Sequence, residues 1–188
     1  MMTTRRSFLV AAAASLLAAP ALAQQVVRIP NDWLPTEVEI KPGVPVGEIH
    51  VDVPGTWLYL TVADGLARRY KIAVGAPGRN FNGVAHVARK AEWPAWRPTA
   101  EMIAYEPQVY GKFSTGLPGG HAMNPLGARA LYLYQDGRDT MFRIHGTPQP
   151  WTMGQSFSSG CPRLINEHMI DLYDRVPVGT RVVSLAEA

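Results

Sequence analysis

The chain has 188 residues, 47% of them hydrophobic and 18% charged, with a formal net charge of +3. That length allows one core and at most two domains, and the composition is that of an ordinary globular protein. The 17 glycines and 16 prolines point to turn-rich β structure rather than long helices. No basic stripe argues for nucleic acid, and there is no internal repeat, coiled coil or low-complexity tract.

The first segment reads as an export signal. Thr4-Arg5-Arg6-Ser7-Phe8-Leu9 carries the paired arginines of the twin-arginine type, an Ala-rich apolar run extends from Phe8 to Ala19, and Ala21-Leu22-Ala23 is a small-residue cleavage site. The apolar run is too short to span a bilayer comfortably, and the alternatives are a general secretory signal or an uncleaved anchor. Removing residues 1–23 takes away two arginines and no acid, which leaves 16 basic against 15 acidic residues. No cysteine directly follows the cleavage site, so no lipid anchor and no stable membrane insertion is expected afterwards. Residues 24–44 form an N-terminal arm or leading edge strand, and 45–186 form the domain proper.

From Glu48 the alternation is clear. Ile49, Val51 and Val53 face one way, and Trp57 to Val62 pairs with Arg69 to Val74 across the hairpin dipeptide Asp64-Gly65. His50 and His86 fall on the polar or rim side of their strands. Trp93-Pro94-Ala95-Trp96-Arg97-Pro98 cannot be helical, because each proline drives its predecessor to extended geometry. Thr99 is placed to cap a short helix ending near Tyr105, and Glu106 to Asn124 is a long irregular segment expected to cover a groove. Ala128 to Tyr134 and Thr140 to His145 form a second hairpin. Gly154 to Phe157 reads as a helical turn. Asn166 caps a helix running to about Arg175, with Met169, Leu172, Tyr173 and Val176 inward and His168 outward, and Arg181 to Leu185 is the last strand.

The chemistry concentrates in Phe142 to Leu164, which holds the only cysteine. His145 ends a strand and Cys161 follows 16 positions later, across a Pro-, Gly- and Ser-rich stretch able to fold back on itself. An ordinary thiol is roughly 3% thiolate at pH 7, whereas a pKa near 6 beside an imidazolium would make it roughly 90%. Cys161 is therefore the candidate nucleophile and His145 its base. Ser159, Gly160 and Cys161 offer main-chain N–H groups for an oxyanion. Pro162 has none, so any oxyanion hole lies on its N-terminal side.

His145-Gly146-Thr147, Pro150-Trp151-Thr152-Met153-Gly154 and Ser158-Ser159-Gly160-Cys161-Pro162-Arg163-Leu164 together resemble the signature of the L,D-transpeptidase catalytic domain (YkuD-like), a bacterial family that remodels peptidoglycan. Trp93-Pro94-Ala95-Trp96, Pro118-Gly119-Gly120 and Asn124 to Leu133 extend the resemblance over most of the chain from about Pro45 to Leu185. It implies a mainly β, single YkuD-like β-sandwich domain with a few short helices and a C-terminal helix and strand. It also implies a periplasmic enzyme whose thiolate attacks the diamino acid of a tetrapeptide stem, releases D-alanine and passes the acyl group to an amine. Peptidoglycan stems are the implied donor and acceptor, an outer-membrane protein amine being a further acceptor. No cofactor and no metal is implied, and the chain has no HExxH, paired-cysteine or glycine-rich phosphate motif.

Two residues depart from the family pattern. Pro162 stands where an aliphatic residue is usual, and Ser159 where many members have a histidine, which leaves the orienter of His145 as a main-chain carbonyl or Ser159. Arg163 belongs to the signature and is expected either to hold a substrate carboxylate in its fork or to pair with an acid such as Asp171. Gly146, Thr147 and Ser158 are expected to shape the loop and touch ligand. The tryptophans Trp93 and Trp96 fill the core or wall the groove, the resemblance favouring the groove. Competing readings are an L,D-carboxypeptidase or amidase using the same acyl-enzyme, and a wall-binding module that keeps the fold without the reaction.

Overall fold

A computed structural model describes residues 28–185. The strands are β1 (Thr36–Glu39), β2 (Ile49–Asp52), β3 (Trp57–Ala63), β4 (Leu66–Lys71), β5 (Val74–Gly75), β6 (Gly83–Glu92), β7 (Arg129–Gln135), β8 (Arg138–His145), β9 (Ser156–Ser158) and β10 (Arg181–Leu185). The helices are α1 (Ala100–Tyr105), α2 (Pro107–Tyr110) and α3 (Asn166–Arg175). The export-signal expectation falls on residues outside those described. Among the described residues no helix is long and apolar enough to cross a membrane.

Eight strands make one sheet in the order β1-β4-β3-β2-β10-β6-β7-β8, while β5 and β9 pair separately. All neighbours in the large sheet are antiparallel except β10 beside β2. The two-residue alternation read from the sequence selects the inner face. Ile49 and Val51 of β2, Leu58 and Leu60 of β3, Tyr70 of β4, Leu131 and Leu133 of β7 and Ile144 of β8 share one buried cluster with Met169 and Leu172 of α3.

That shared core requires the sheet to bend. Asp171 of α3 accepts hydrogen bonds from Tyr70 Oη (2.7 Å) and Arg68 Nε (2.8 Å) on β4, and the same helix packs on β7. β4 and β7 are five strands apart, about 24 Å in a flat sheet, whereas a helix is only about 10 Å wide. The ends of the sheet also approach each other, because Arg163 is bridged on one side to His145 at the β8 edge and on the other to Ala73, just beyond β4. The expected mainly β domain is thus built as one sheet folded over a single helix. Lys90 of β6 ties down the far end of α3 by donating to the carbonyls of Tyr173 (2.6 Å) and Val176 (2.7 Å) there.

Several local expectations change. The first hairpin turns at Asp64-Gly65 as read, but its return strand is Leu66–Lys71, and Val74 belongs to β5. Gly154 to Phe157 makes no helical turn: Ser156–Ser158 pairs in parallel with β5, and a 3-10 turn precedes it at Pro150–Thr152. Thr99 caps α1 as expected, its hydroxyl accepting from Met102 N–H. Asn166 opens α3 without capping it, because its side-chain oxygen accepts instead from the Ala128 amide at 2.9 Å. His168 points inward and is buried, since the bent sheet wraps more of the helix than one flat face would.

Candidate active site

Residues 158–164 run from the small sheet to the edge of the large one. Ser158 ends β9, and its hydroxyl accepts the Gly160 N–H at 3.3 Å. Gly160 then turns the chain at φ +124, a value that favours glycine. A Cβ there would strike the carbonyl of Arg79 and approach the Phe142 ring to 2.6 Å, so the position is restricted by packing as well as by backbone angle. Pro162 to Leu164 continues as an extended stretch along the outer edge of β8. His145 N–H donates to Pro162 O (3.1 Å), Leu164 N–H to His145 O (2.9 Å), and Arg163 exchanges two main-chain bonds with Ala73 (2.8 and 2.9 Å). Cys161 is held between the left-handed glycine and this three-residue strand.

Cys161 and His145 line the same cavity, of about 650 Å³, together with Ser158, Ser159 and Arg163. Gly146, Thr147 and Gly160 are not on its wall. Thr147 is buried and its hydroxyl accepts the Gln149 amide at 3.1 Å, a loop-shaping bond of the kind expected for it. Gly146 supplies the orienter of His145: Nδ1 donates to its carbonyl at 2.6 Å, which places a proton on Nδ1. Ser159 is not that orienter, because its hydroxyl meets Tyr110 Oη at 3.1 Å.

The protonation states differ from the thiolate expectation. Burial pushes the His145 imidazole down to about 3, reinforced by the Arg163 and Arg143 guanidiniums, while the carbonyls of Gly146 and Pro125 pull the other way. Burial also pushes the Cys161 thiol up, against the Arg143 amide and the Arg143 and Arg163 charges. Both groups therefore rest neutral.

Arg163 makes no ion pair with Asp171, whose carboxylate is occupied by Arg68, Arg175 and Tyr70. Its guanidinium lies over the Phe157 ring, 5.0 Å from the centroid, and its buried Nε has no partner. Burial without a counter-ion lowers its pKa. Of the other cations on the wall, Arg143 is gripped by Asp139 (2.6 and 2.8 Å), while the one acid on the wall, Glu106, is engaged by Arg79 at 3.4 Å. The cavity thus offers, beside the sulfur, a fork-shaped cation that has no ion pair among the described residues.

The segment 106–124 borders the opening. Trp96 packs its ring against Tyr110 (centroids 6.4 Å) and Phe113 (5.8 Å), and all three line the cavity. Trp93 is exposed. Of the two tryptophans, then, Trp96 walls the groove and Trp93 is neither core nor wall. Met123, Met141, Trp151 and Phe157 add exposed apolar side chains around the same cavity.

The sequence reading missed three residues here. Arg143 donates its main-chain N–H to Cys161 Sγ at 3.4 Å; lying two positions before His145, on the same side of a strand, was its only signal. Tyr110 had none. Asn166 was read as a cap, yet its side-chain oxygen lies where a Cβ on Gly146 or Gly127 would fall.

A family model for the L,D-transpeptidase catalytic domain (YkuD) matches residues 47–183. The Escherichia coli K12 proteins named Probable L,D-transpeptidase YbiS and Probable L,D-transpeptidase ErfK/SrfK are each 38% identical over 118 residues, covering 62% and 60% of this chain and 37% and 35% of their own. The chain thus spans little more than a third of the length of these curated relatives. A Brucella melitensis crystal structure, described as a probable carnitine operon oxidoreductase, is 50% identical with a TM-score of 0.57, covering 84% of this chain and 96% of that one. An Enterococcus faecium L,D-transpeptidase shares the fold at 18% identity and a TM-score of 0.52, over 76% of this chain and 50% of its own. The chain belongs to the L,D-transpeptidase catalytic domain family.

Proposed function

We propose that this protein is a peptidoglycan L,D-transpeptidase that works through an acyl-enzyme on Cys161. The observation carrying the reading is that the thiol and a histidine with its proton fixed on Nδ1 share one cavity of about 650 Å³. In the reaction, His145 Nε2 takes the thiol proton as the sulfur attacks the carbonyl of the diamino acid in a tetrapeptide stem. The amides of Ser159 and Cys161 receive the developing oxyanion, because Gly160 N–H already serves Ser158 and Pro162 has no N–H. D-alanine leaves with the proton from His145; an amine then attacks the thioester, giving a proton to His145, which returns it to the departing sulfur. Arg163 engages a carboxylate of the stem, which pairs a guanidinium whose buried Nε has no other partner among the described residues. The protein acts in the periplasm, with a second stem, or the amine of an outer-membrane protein, as acceptor.

Intact-mass spectrometry after incubation with a carbapenem tests the nucleophile. An adduct on the wild type that is absent from Cys161→Ala supports it, and no adduct on the wild type sinks it in favour of a wall-binding module. Disaccharide-tetrapeptide as sole substrate separates transfer from hydrolysis: cross-linked dimer is the expected product, and tripeptide alone would mean a carboxypeptidase.

A further inference from the structure

β8 is the outermost strand of the large sheet, and its free edge accepts Pro162 to Leu164 as a parallel partner, with His145 opposite Arg163. Continuing such a ladder one rung back would send Arg143 N–H to the Gly160 carbonyl and the amide of residue 162 to the Arg143 carbonyl. Residue 162 is proline and has no amide to give. The rung does not form, and Arg143 N–H instead reaches Cys161 Sγ at 3.4 Å.

The strand is shaped for this. Between the pairs Tyr134↔Asp139 and Tyr132↔Arg143 the β7–β8 register slips, with the extra residues on β8. Met141 at the centre of the bulge has φ +62, a left-handed conformation that is strained for a non-glycine residue. Side chains hold it open. Asp139 Oδ1 accepts Met141 N–H (2.8 Å), Thr140 Oγ1 accepts Phe142 N–H (3.1 Å), and the same hydroxyl donates to Leu133 O (2.6 Å). Arg143 is fixed in turn by its Asp139 pair and by lying over the Tyr132 ring, 4.4 Å from the centroid. Bulges beside active sites characteristically re-aim a group; here the group re-aimed is a main-chain N–H.

We propose that Arg143 is a further catalytic residue, acting through its main-chain N–H on the sulfur, with the β8 bulge as the device that holds that donor in place. The proposal rests on Cys161 being the nucleophile. When the S–H proton passes to His145, the sulfur gains a full lone pair and the N–H···S contact becomes charge-assisted. It does so again when the C–S bond of the thioester breaks and the electron pair returns to sulfur. Pro162, a departure from the family pattern, keeps the Arg143 amide out of a competing ladder.

Two measurements decide it. In the wild-type protein, the NMR resonance of the Arg143 amide proton is followed while thiolate formation is read by ultraviolet absorbance, with Cys161→Ala separating the thiol from His145, Arg163 and Asp139 nearby. A downfield shift sharing the thiolate midpoint, lost in Cys161→Ala, is the expected result, and an Arg143 amide indifferent to the thiol overturns the proposal. In Thr140→Val both hydroxyl bonds of the bulge are gone, so carbapenem acylation slows on the order of tenfold and the thiolate midpoint rises about one pH unit. An unchanged midpoint in the folded variant also overturns it, and if Thr140→Val does not fold, the wild-type resonance decides. Failure of the nucleophile reading is distinguishable, because a wild type that takes no carbapenem still reports whether the amide follows the thiol.

Discussion

Tyr110 Oη and Ser159 Oγ meet at 3.1 Å across the opening of the cavity, joining the segment after α1 to the loop that carries the nucleophile. Tyr110 is itself packed under Trp96, so the bond ties an aromatic cluster to residues two positions before the sulfur. A neutral hydrogen bond of this kind contributes about 1 kcal/mol. Tyr110→Phe keeps the ring and loses the bond, and Ser159→Ala loses it from the other side. Each variant is expected to slow carbapenem acylation about threefold to tenfold. Because they remove the same contact, the double variant should be no slower than the worse single one. Effects that simply multiply would show that the two residues act separately.

Arg163 gives a prediction about substrate charge. Its guanidinium is buried beside Cys161 with no carboxylate partner among the described residues, so a stem carboxylate would be read by a charge-assisted pair rather than by water. Arg163→Gln should raise KM for a free-carboxylate tetrapeptide roughly 10- to 100-fold. Arg163→Lys should restore only part of that, because an ammonium lacks the planar fork. The variant should also lose discrimination between free and amidated stems. Equal kinetics on both stems in the wild type would remove Arg163 from recognition.

How much of this could be read from the chain follows from the range of the forces involved. Strand alternation around Ile49, Leu58 and Leu131 is local, and so is the Asp64-Gly65 hairpin turn, which is why those elements emerged. Cys161 and His145 were legible because the loop between them carries a recognisable pattern. The inward turn of His168 was not, since it depends on the sheet wrapping around α3, a consequence of strand order rather than of any local residue. The resting charges were missed for a related reason: a thiol beside an imidazole suggests an ion pair until both are seen to be buried beside two guanidiniums. Tyr110 and Arg143 reach the site through contacts 49 and 18 residues long.

Gly160 is the position where the smallest change should do the most damage. Its φ of +124 and the Arg79 carbonyl behind it leave no space for a methyl group. Gly160→Ala must either push the loop off the Arg79 carbonyl or rotate the backbone, and in both cases Cys161 moves relative to His145. Displacements of about 1 Å at a reacting group cost on the order of 100-fold in rate. The variant should therefore acylate at least that much more slowly, while circular dichroism still shows a folded β protein. Acylation at the wild-type rate would mean that the turn does not set the position of the sulfur.

The two buried histidines set the response to acid. His145 is lowered to about 3 and His168 is also lowered, in both cases chiefly by burial. Around His168, Glu167 and Asp171 favour the charged form and Arg68 opposes it. In the unfolded chain each imidazole titrates near 6.5. Below that value the unfolded state binds a proton that the folded state refuses, so stability is complete above about pH 6.5 and declines as pH falls toward the folded pKa. Each group contributes a slope of up to about 1.4 kcal/mol per pH unit. Asp139 and Asp171, held low by their arginines and hydrogen bonds despite burial, add the same sign only below about pH 4. Urea unfolding between about pH 7.5 and 4.5 should show stability falling with acid, and His168→Gln should make that fall shallower without altering the thiol. Stability that stays flat across this interval would mean that both imidazoles take up protons in the folded protein, and the neutral resting pair at the active site would have to be abandoned with it.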